Sequence, residues 1–274
     1  MKKIGLLMAS LCLYYISQAQ DTTIITEDTD TIRIGGMVII KKKDGKNDEP
    51  TKSTYRHKHK PANISTSWCL LDFGFSNFTD NTNYGSLEAQ GFAPGATADW
   101  FEIRNGKSVN VNFWLFMQRL NLIKHVVNLK YGLGLELNNY RYEQDIRFKE
   151  NPTVVYMDTI SYNKNKLAAD YVTVPVMLNF NFTPNEDESY KSFGLSVGMS
   201  AGYLYSSRQK YVSAETGKDK TKDNFDLRPL KISYIAELQL GPVVLYGSLA
   251  DRSMFENGLD QTPYNLGIRL GNWQ

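Results

Sequence analysis

Residues 127–137 alternate apolar and polar positions without a break. Val127, Leu129, Tyr131, Leu133, Leu135 and Leu137 share one face, and Asn128, Lys130, Gly132, Gly134 and Glu136 share the other. A period of two marks a β-strand, because successive side chains point to opposite faces. The same alternation recurs along the chain and predicts eight strands, at 67–78, 108–118, 126–142, 170–182, 192–206, 229–240, 243–251 and 263–273.

One face of each strand is oily and the other carries charge, amide and glycine. That division suits a wall with lipid outside and a polar interior. The connectors agree. Segments 79–107, 143–169 and 207–228 are long, whereas 119–125, 183–191 and 241–242 are short. Tight turns at one end and longer loops at the other are the asymmetry of outer-membrane barrels. No stretch after the first twenty residues is long and apolar enough for a spanning helix, so insertion has to be as a closed sheet. Pro175 sits inside the fourth strand and lacks the amide its ladder needs, so a local bulge is expected there.

The amino terminus reads as an export signal. Lys2 and Lys3 precede an apolar run from Ile4 to Ile16, and Ser17-Gln18-Ala19 offers small residues for cleavage after Ala19. Cys12 would leave with that segment, so Cys69 is the single thiol of the mature chain and no internal disulfide is available. The expected organisation is a signal peptide at 1–19, a polar extension at 20–66 and a barrel at 67–274. Residues 41–60 hold eight basic and three acidic side chains. Such a run reads as a solvated linker or as a segment drawn to an anionic surface. A short β-like piece, 31–40, interrupts the extension.

The inward polar residues Asp72, Lys130, Glu136, Lys231, Glu237, Gln239 and Arg269 pose a choice between a selective pore and a packed plug. Eight strands enclose an interior that side chains can fill, and charges buried there must pair. The plug is expected, with Lys130 or Arg269 paired to Glu136 or Glu237. Aromatic residues near strand ends (Trp68, Tyr140, Tyr142, Tyr203, Tyr205 and Trp273) are expected at the lipid–water interfaces. The long loops are expected to carry contacts with an envelope protein or a surface polymer. Phe92, Pro94, Trp100 and Phe101 are the candidates, and 153–162 is a β-like piece able to extend a hairpin above the membrane.

Catalysis is not expected. A barrel hydrolase needs a histidine or paired carboxylates within reach of a nucleophile at the external rim. His57 and His59 fall in the extension and His125 in a short turn. No cofactor is expected; His57 and His59 beside Cys69 are too few for a metal site, nucleic acid is excluded by compartment although the basic tail would fit it, and the barrel is expected to be monomeric in lipid.

The segments taken in order resemble the PorT-like outer-membrane β-barrel family of Bacteroidota. The resemblance rests on Asp30-Thr31-Ile32-Arg33-Ile34-Gly35-Gly36 with Ile39-Ile40, on Trp68, and on Gly106-Lys107-Ser108-Val109-Asn110-Val111-Asn112. It continues through Gly132-Leu133-Gly134-Leu135-Glu136, Asn138-Asn139-Tyr140-Arg141-Tyr142 and Val174-Pro175-Val176-Met177-Leu178. It implies an integral outer-membrane barrel, accounts for Pro175, and brings no residues of known function. The reading is an all-β, eight-stranded antiparallel barrel in the outer membrane of a Gram-negative cell, acting as a structural or interaction component of the envelope. A small-solute channel and a secreted lipocalin-like binder are the alternatives.

Overall fold

The computed structural model describes residues 31–34, 37–40, 62–150, 152–184 and 192–270. Contacts divide the chain into two units, Met1–Lys60 and Pro61–Gln274. In the first, β1 (Thr31–Ile34) pairs antiparallel with β2 (Met37–Ile40), within the β-like piece read at 31–40. The signal segment, His57, His59 and Trp273 lie outside the described residues.

The second unit opens with β3 (Ile64–Asp80) and a short helix α1 (Leu87–Phe92). Then come β4 (Val109–Ile123), β5 (Val127–Tyr142), β6 (Ile146–Lys149), β7 (Val154–Met157) and β8 (Lys164–Asn181). It continues through β9 (Phe193–Ser213), β10 (Gly217–Thr221), β11 (Leu230–Leu240), β12 (Val243–Ala250) and β13 (Gln261–Leu270). Eight of these strands, β3, β4, β5, β8, β9, β11, β12 and β13, close into an antiparallel ring in chain order, with β13 returning to β3. They are the eight strands that the alternation predicts.

The short turns lie at the end where the ring begins and finishes. Lys124 and His125 both take positive φ, 47° and 59°, which matches the twist of a tight hairpin. Asn121 Oδ1 holds this turn by accepting the His125 amide at 2.7 Å. Gly241, at φ 61°, makes the turn between β11 and β12. The long connectors 81–108, 143–163, 214–229 and 251–260 all lie at the opposite end.

The outer wall is apolar. Phe73, Phe75, Val174, Val176, Val197, Met199, Leu266 and Ile268 are all exposed. A contiguous apolar wall of this extent cannot face water without association; lipid is the solvent that suits it. A lipocalin-like binder would need its apolar face turned inward. Here that face is outside, so the secreted-binder alternative fails.

Two irregularities re-aim side chains. In β3, Trp68 points out and Leu70 points in, because Cys69 between them takes φ 54°. The opposing strand answers with Leu115: Trp68 pairs with Phe116 and Leu70 with Trp114, while the register to β5 shifts between Trp114 and Phe116. Met117 therefore turns inward, where unbroken alternation had put it on the oily face. Pro175 needs no bulge of its own. The β5–β8 ladder skips Val174 and Pro175 without changing register, and the pairing with β9 runs through Pro175. The nearest register shift lies between Asp170 and Tyr171.

Strands β8 and β9 run further outward than the alternation suggests. Their tops pair with each other, and β9 pairs on with β10. Part of 207–228, a long connector in the alternation, is thus a sheet standing above the apolar wall. Segment 153–162 supplies β7, which forms a separate hairpin with β6.

Candidate functional site: a two-tier lumen

Inward positions near mid-height carry charge, and the ring brings them together. Arg269, 2% exposed, donates from Nε to Asp72 Oδ1 at 2.6 Å and from NH2 to Asp72 Oδ2 at 2.9 Å. Its NH1 reaches Glu237 Oε1 at 2.9 Å. Glu237 also accepts from Lys130, and Glu136 accepts from Lys231. Two carboxylates and two cations thus alternate from Asp72 through Arg269 and Glu237 to Lys130, and a second pair sits beside them. Gln239 stands apart and donates to Ser192 Oγ at 2.8 Å, near the short-turn end.

Amides and hydroxyls complete the coordination. Trp114 Nε1 donates to Asp72 Oδ2 at 2.6 Å, and Asn265 Nδ2 to Glu136 Oε1 at 3.1 Å. Tyr246 donates to Asn110 Oδ1 at 2.5 Å, and Asn110 Nδ2 to Asn138 Oδ1 at 2.9 Å. Sequence reasoning listed the charges and missed this amide layer. The signal was present: Asn110, Asn112, Asn138 and Asn265 all occupy polar-face positions of predicted strands. The space left among these groups is small. One cavity, lined by Asp72, Trp114, Glu136, Glu237 and Arg269 among others, holds about 30 Å³, and another beneath Arg269, beside Lys130 and Gln239, holds about 30 Å³. A water needs about 10–15 Å³ of such space, so each has room for a water or two.

Above the charged tier the lumen becomes apolar. All four long connectors drop side chains into it: Phe92 and Phe101 from 81–108, Ile146, Phe148 and Val155 from 143–163, Phe225 and Leu227 from 214–229, Met254 and Phe255 from 251–260. Tyr140, Tyr142, Leu167 and Tyr171 meet them from the strand tops. Phe92–Phe255 and Phe148–Phe225 meet edge-on with centroids 5.6 Å apart, a geometry aromatic quadrupoles prefer, and Phe148 also stacks on Phe255 at 6.2 Å.

Local chemistry holds this cap. Helix α1 begins at Ser86, whose hydroxyl accepts the Ala89 amide at 3.1 Å, and Glu88 sits in its first turn, favourably against the helix dipole. Phe225, fully buried, is set at φ 50° and is followed by Asp226 at φ 53°. Left-handed non-glycine residues cost about 1–3 kcal/mol each, so burial of the ring offsets that strain. Burial alone would raise the Asp158 carboxyl. The Tyr162 hydroxyl, the Ile160 and Thr159 amides and Arg147 outweigh it and hold the group below the usual aspartate value. Burial and the hydrogen bond to Asp158 push the Tyr162 phenol up.

The cap corrects several expectations. Phe92 and Phe101 are 5% and 1% exposed and form the cap's interior, not a contact surface. Tyr140 and Tyr142 are likewise buried in it, not at a lipid interface. Both share the parity of Glu136 and Asn138 on β5, so both point inward. Pro94 is exposed and Trp100 packs half-buried against the cap. Trp68, Tyr203 and Tyr205 are 65%, 62% and 48% exposed on the outer wall. His125 lies in the 124–126 turn, at the end of the barrel away from the cap.

Residues 73–247 match the family described as outer membrane protein beta-barrel domain. No curated protein matches the chain. A solved structure, the attachment invasion locus protein of Yersinia pestis in complex with the heparin analogue sucrose octasulfate, is 14% identical over 76% of this chain and 96% of that one, with a TM-score of 0.30. At that level of superposition its ligand says nothing about this chain.

Proposed function

The chain belongs to the outer membrane protein beta-barrel domain family, and from that premise we propose that it is a sealed, non-enzymatic barrel serving the envelope as a rigid external platform. The observation that carries this reading is the filled lumen. Paired charges occupy its middle and an aromatic cap its outer half, with spaces of about 30 Å³ between the charged groups. A solute path would have to break buried ion pairs, each strongly destabilising to disrupt. The non-enzymatic part of the reading is supported by the same packing, which leaves no cleft among the charged groups for a substrate. Planar-bilayer recording tests the seal. Brief, rare openings are expected, and a steady large conductance would establish the channel alternative instead.

The platform reading places contacts with an envelope protein or surface polymer on the outer surface of the cap. Leu87, 94% exposed on α1, and the exposed Pro94 are its apolar points on the first loop. A photo-crosslinker at Leu87 in intact cells should capture a discrete partner, and recovery of nothing but lipid adducts would remove this arm. The reading extends to PorT-like membership, supported by the ordered motifs between Asp30 and Leu178. It includes export with cleavage after Ala19, a periplasmic extension at 20–66 preceding a barrel at 67–274, and monomeric insertion in outer-membrane lipid.

A further inference from the structure

The tops of β5, β8, β9 and β10 form a sheet whose outward face is crowded with cations. Pairing places Arg141 opposite Lys166, Lys166 opposite Lys210, and Lys210 opposite Lys220. Four cations therefore stand in one row across four strands. Lys164 and Lys218 flank the row, both opposite Val212. Directly opposed side chains have Cβ atoms only about 4.5–5.5 Å apart, and like charges there repel. One acid shares this face, Asp170, and Arg208 is already paired with it. Arg141 donates to the Asn163 carbonyl and Lys166 to Asn139. No ion pair within the described residues neutralises Lys164, Lys166, Lys210, Lys218 or Lys220. Partial desolvation, together with Lys222, Arg208 and Lys210, holds the Lys220 ammonium below its ordinary value.

Lysines on an exposed edge strand guard against edge-to-edge pairing. That accounts for β10 and leaves Lys166 and Lys210 unexplained, since β8 and β9 are both paired on each side. A repulsive row on interior strands calls for an anion. Position identifies which one. The row faces sideways from the barrel wall rather than up from the cap. It stands above the outward Tyr203 and Tyr205 and above Val172, the last exposed apolar residue of β8. Lys166 lies six positions along β8 from Val172; at about 3.3 Å per residue and a tilt near 40°, that is roughly 15 Å along the membrane normal. A phospholipid headgroup layer is only about 5–8 Å deep on each side. The matching group is one that projects further.

We propose that this face binds the phosphate groups carried on the sugar headgroup of the outer-leaflet glycolipid. The inference rests on the long loops facing outward and is independent of whether the lumen conducts. The test uses the folded full-length barrel in detergent micelles, titrated with rough lipopolysaccharide bearing phosphorylated core sugars and with the same material dephosphorylated. Wild type should bind the phosphorylated form at least 10-fold more tightly, with an affinity that falls steeply as salt rises. The K166A/K210A/K220A variant should lose at least 10-fold, keep its heat-modifiable migration, and leave bilayer conductance unchanged. The K166R/K210R/K220R variant, which keeps charge, should retain binding; if the alanine set fails to fold, glutamine at the same positions replaces it. Equal binding by the charge-removed and wild-type barrels would overturn the proposal. So would binding of soluble heparin without binding of the glycolipid, which would make the face a site for free polyanions.

Discussion

Removing Asp72 is the sharpest probe of the charged tier. Its carboxylate is fully buried and takes two hydrogen bonds from Arg269, one from Trp114 at 2.6 Å and one from Asn112 at 3.3 Å. The chain of Asp72, Arg269, Glu237 and Lys130 is balanced, two charges of each sign. Asp72→Ala leaves one uncompensated cation in the lumen and an orphaned indole N–H. Breaking a buried pair from one side costs about 3–5 kcal/mol, and an unsatisfied buried donor about 1–3 kcal/mol. The two overlap because neighbours relax together, so the expected loss is about 4 kcal/mol, a large part of the ~5–15 kcal/mol typical of a folded domain. Urea unfolding in phosphatidylcholine vesicles, read by tryptophan fluorescence and by heat-modifiable migration, measures it. The double variant D72A/R269M restores neutrality through the surviving Glu237–Lys130 pair, so it should be more stable than D72A alone. A loss under about 1 kcal/mol for Asp72→Ala would be the cost of an ordinary substitution and would refute the network. A double variant no better than the single would refute the charge balance.

Other outcomes follow from the cap. Phe148→Ala removes a ring that contacts Tyr142, Phe225 and Phe255; it should cost about 3–5 kcal/mol and open the outer loops to limited proteolysis while the strands stay protected. Gly258 sits at φ 80°, and a Cβ there would run into the Phe92 ring, so Gly258→Ala should loosen the 81–108 and 251–260 loops, seen as faster amide exchange at Ala93. Tyr142 is buried with a hydroxyl that finds no partner, so Tyr142→Phe should leave stability unchanged or raise it by about 1 kcal/mol, measured by the same urea midpoint. Asp158 is held below the ordinary aspartate value, so its contribution is complete above that value and is lost as pH falls through the lowered one. Amide exchange at Ile160 and Tyr162 should therefore accelerate only in strong acid, and Asp158→Asn should abolish that dependence.

The eight strands were legible because alternation is a local property: Val127 to Leu137 display both faces without reference to any partner. The solvent of each face and the end that carries long loops were equally local. Charges at Asp72, Glu136, Glu237 and Arg269 could be put inside by parity alone. Their pairing was legible only in part: Glu237 takes both Lys130 and Arg269, as expected, whereas Asp72 with Arg269 and Glu136 with Lys231 depend on register and shear around the closed ring. Parity also contained the answer for Tyr140 and Tyr142, whose aromatic character suggested an interface while their even positions put them beside Glu136.

Three matters belonged to the tertiary structure. Met117 turned inward only because Cys69 and Leu115 bulge opposite one another, a pairing between strands that neither strand announces. Phe92 and Phe101 looked like exposed contacts on a loop, yet ring closure gathers four loops over one opening and gives their apolar groups each other to pack against. The cationic row of Lys166, Lys210 and Lys220 is scattered along the chain and becomes a row only in cross-strand register. The sequence by itself determined the faces of the strands and the solvent each face meets, because side-chain direction is local. Closure decided which residues face each other, because opposition across a ring is not.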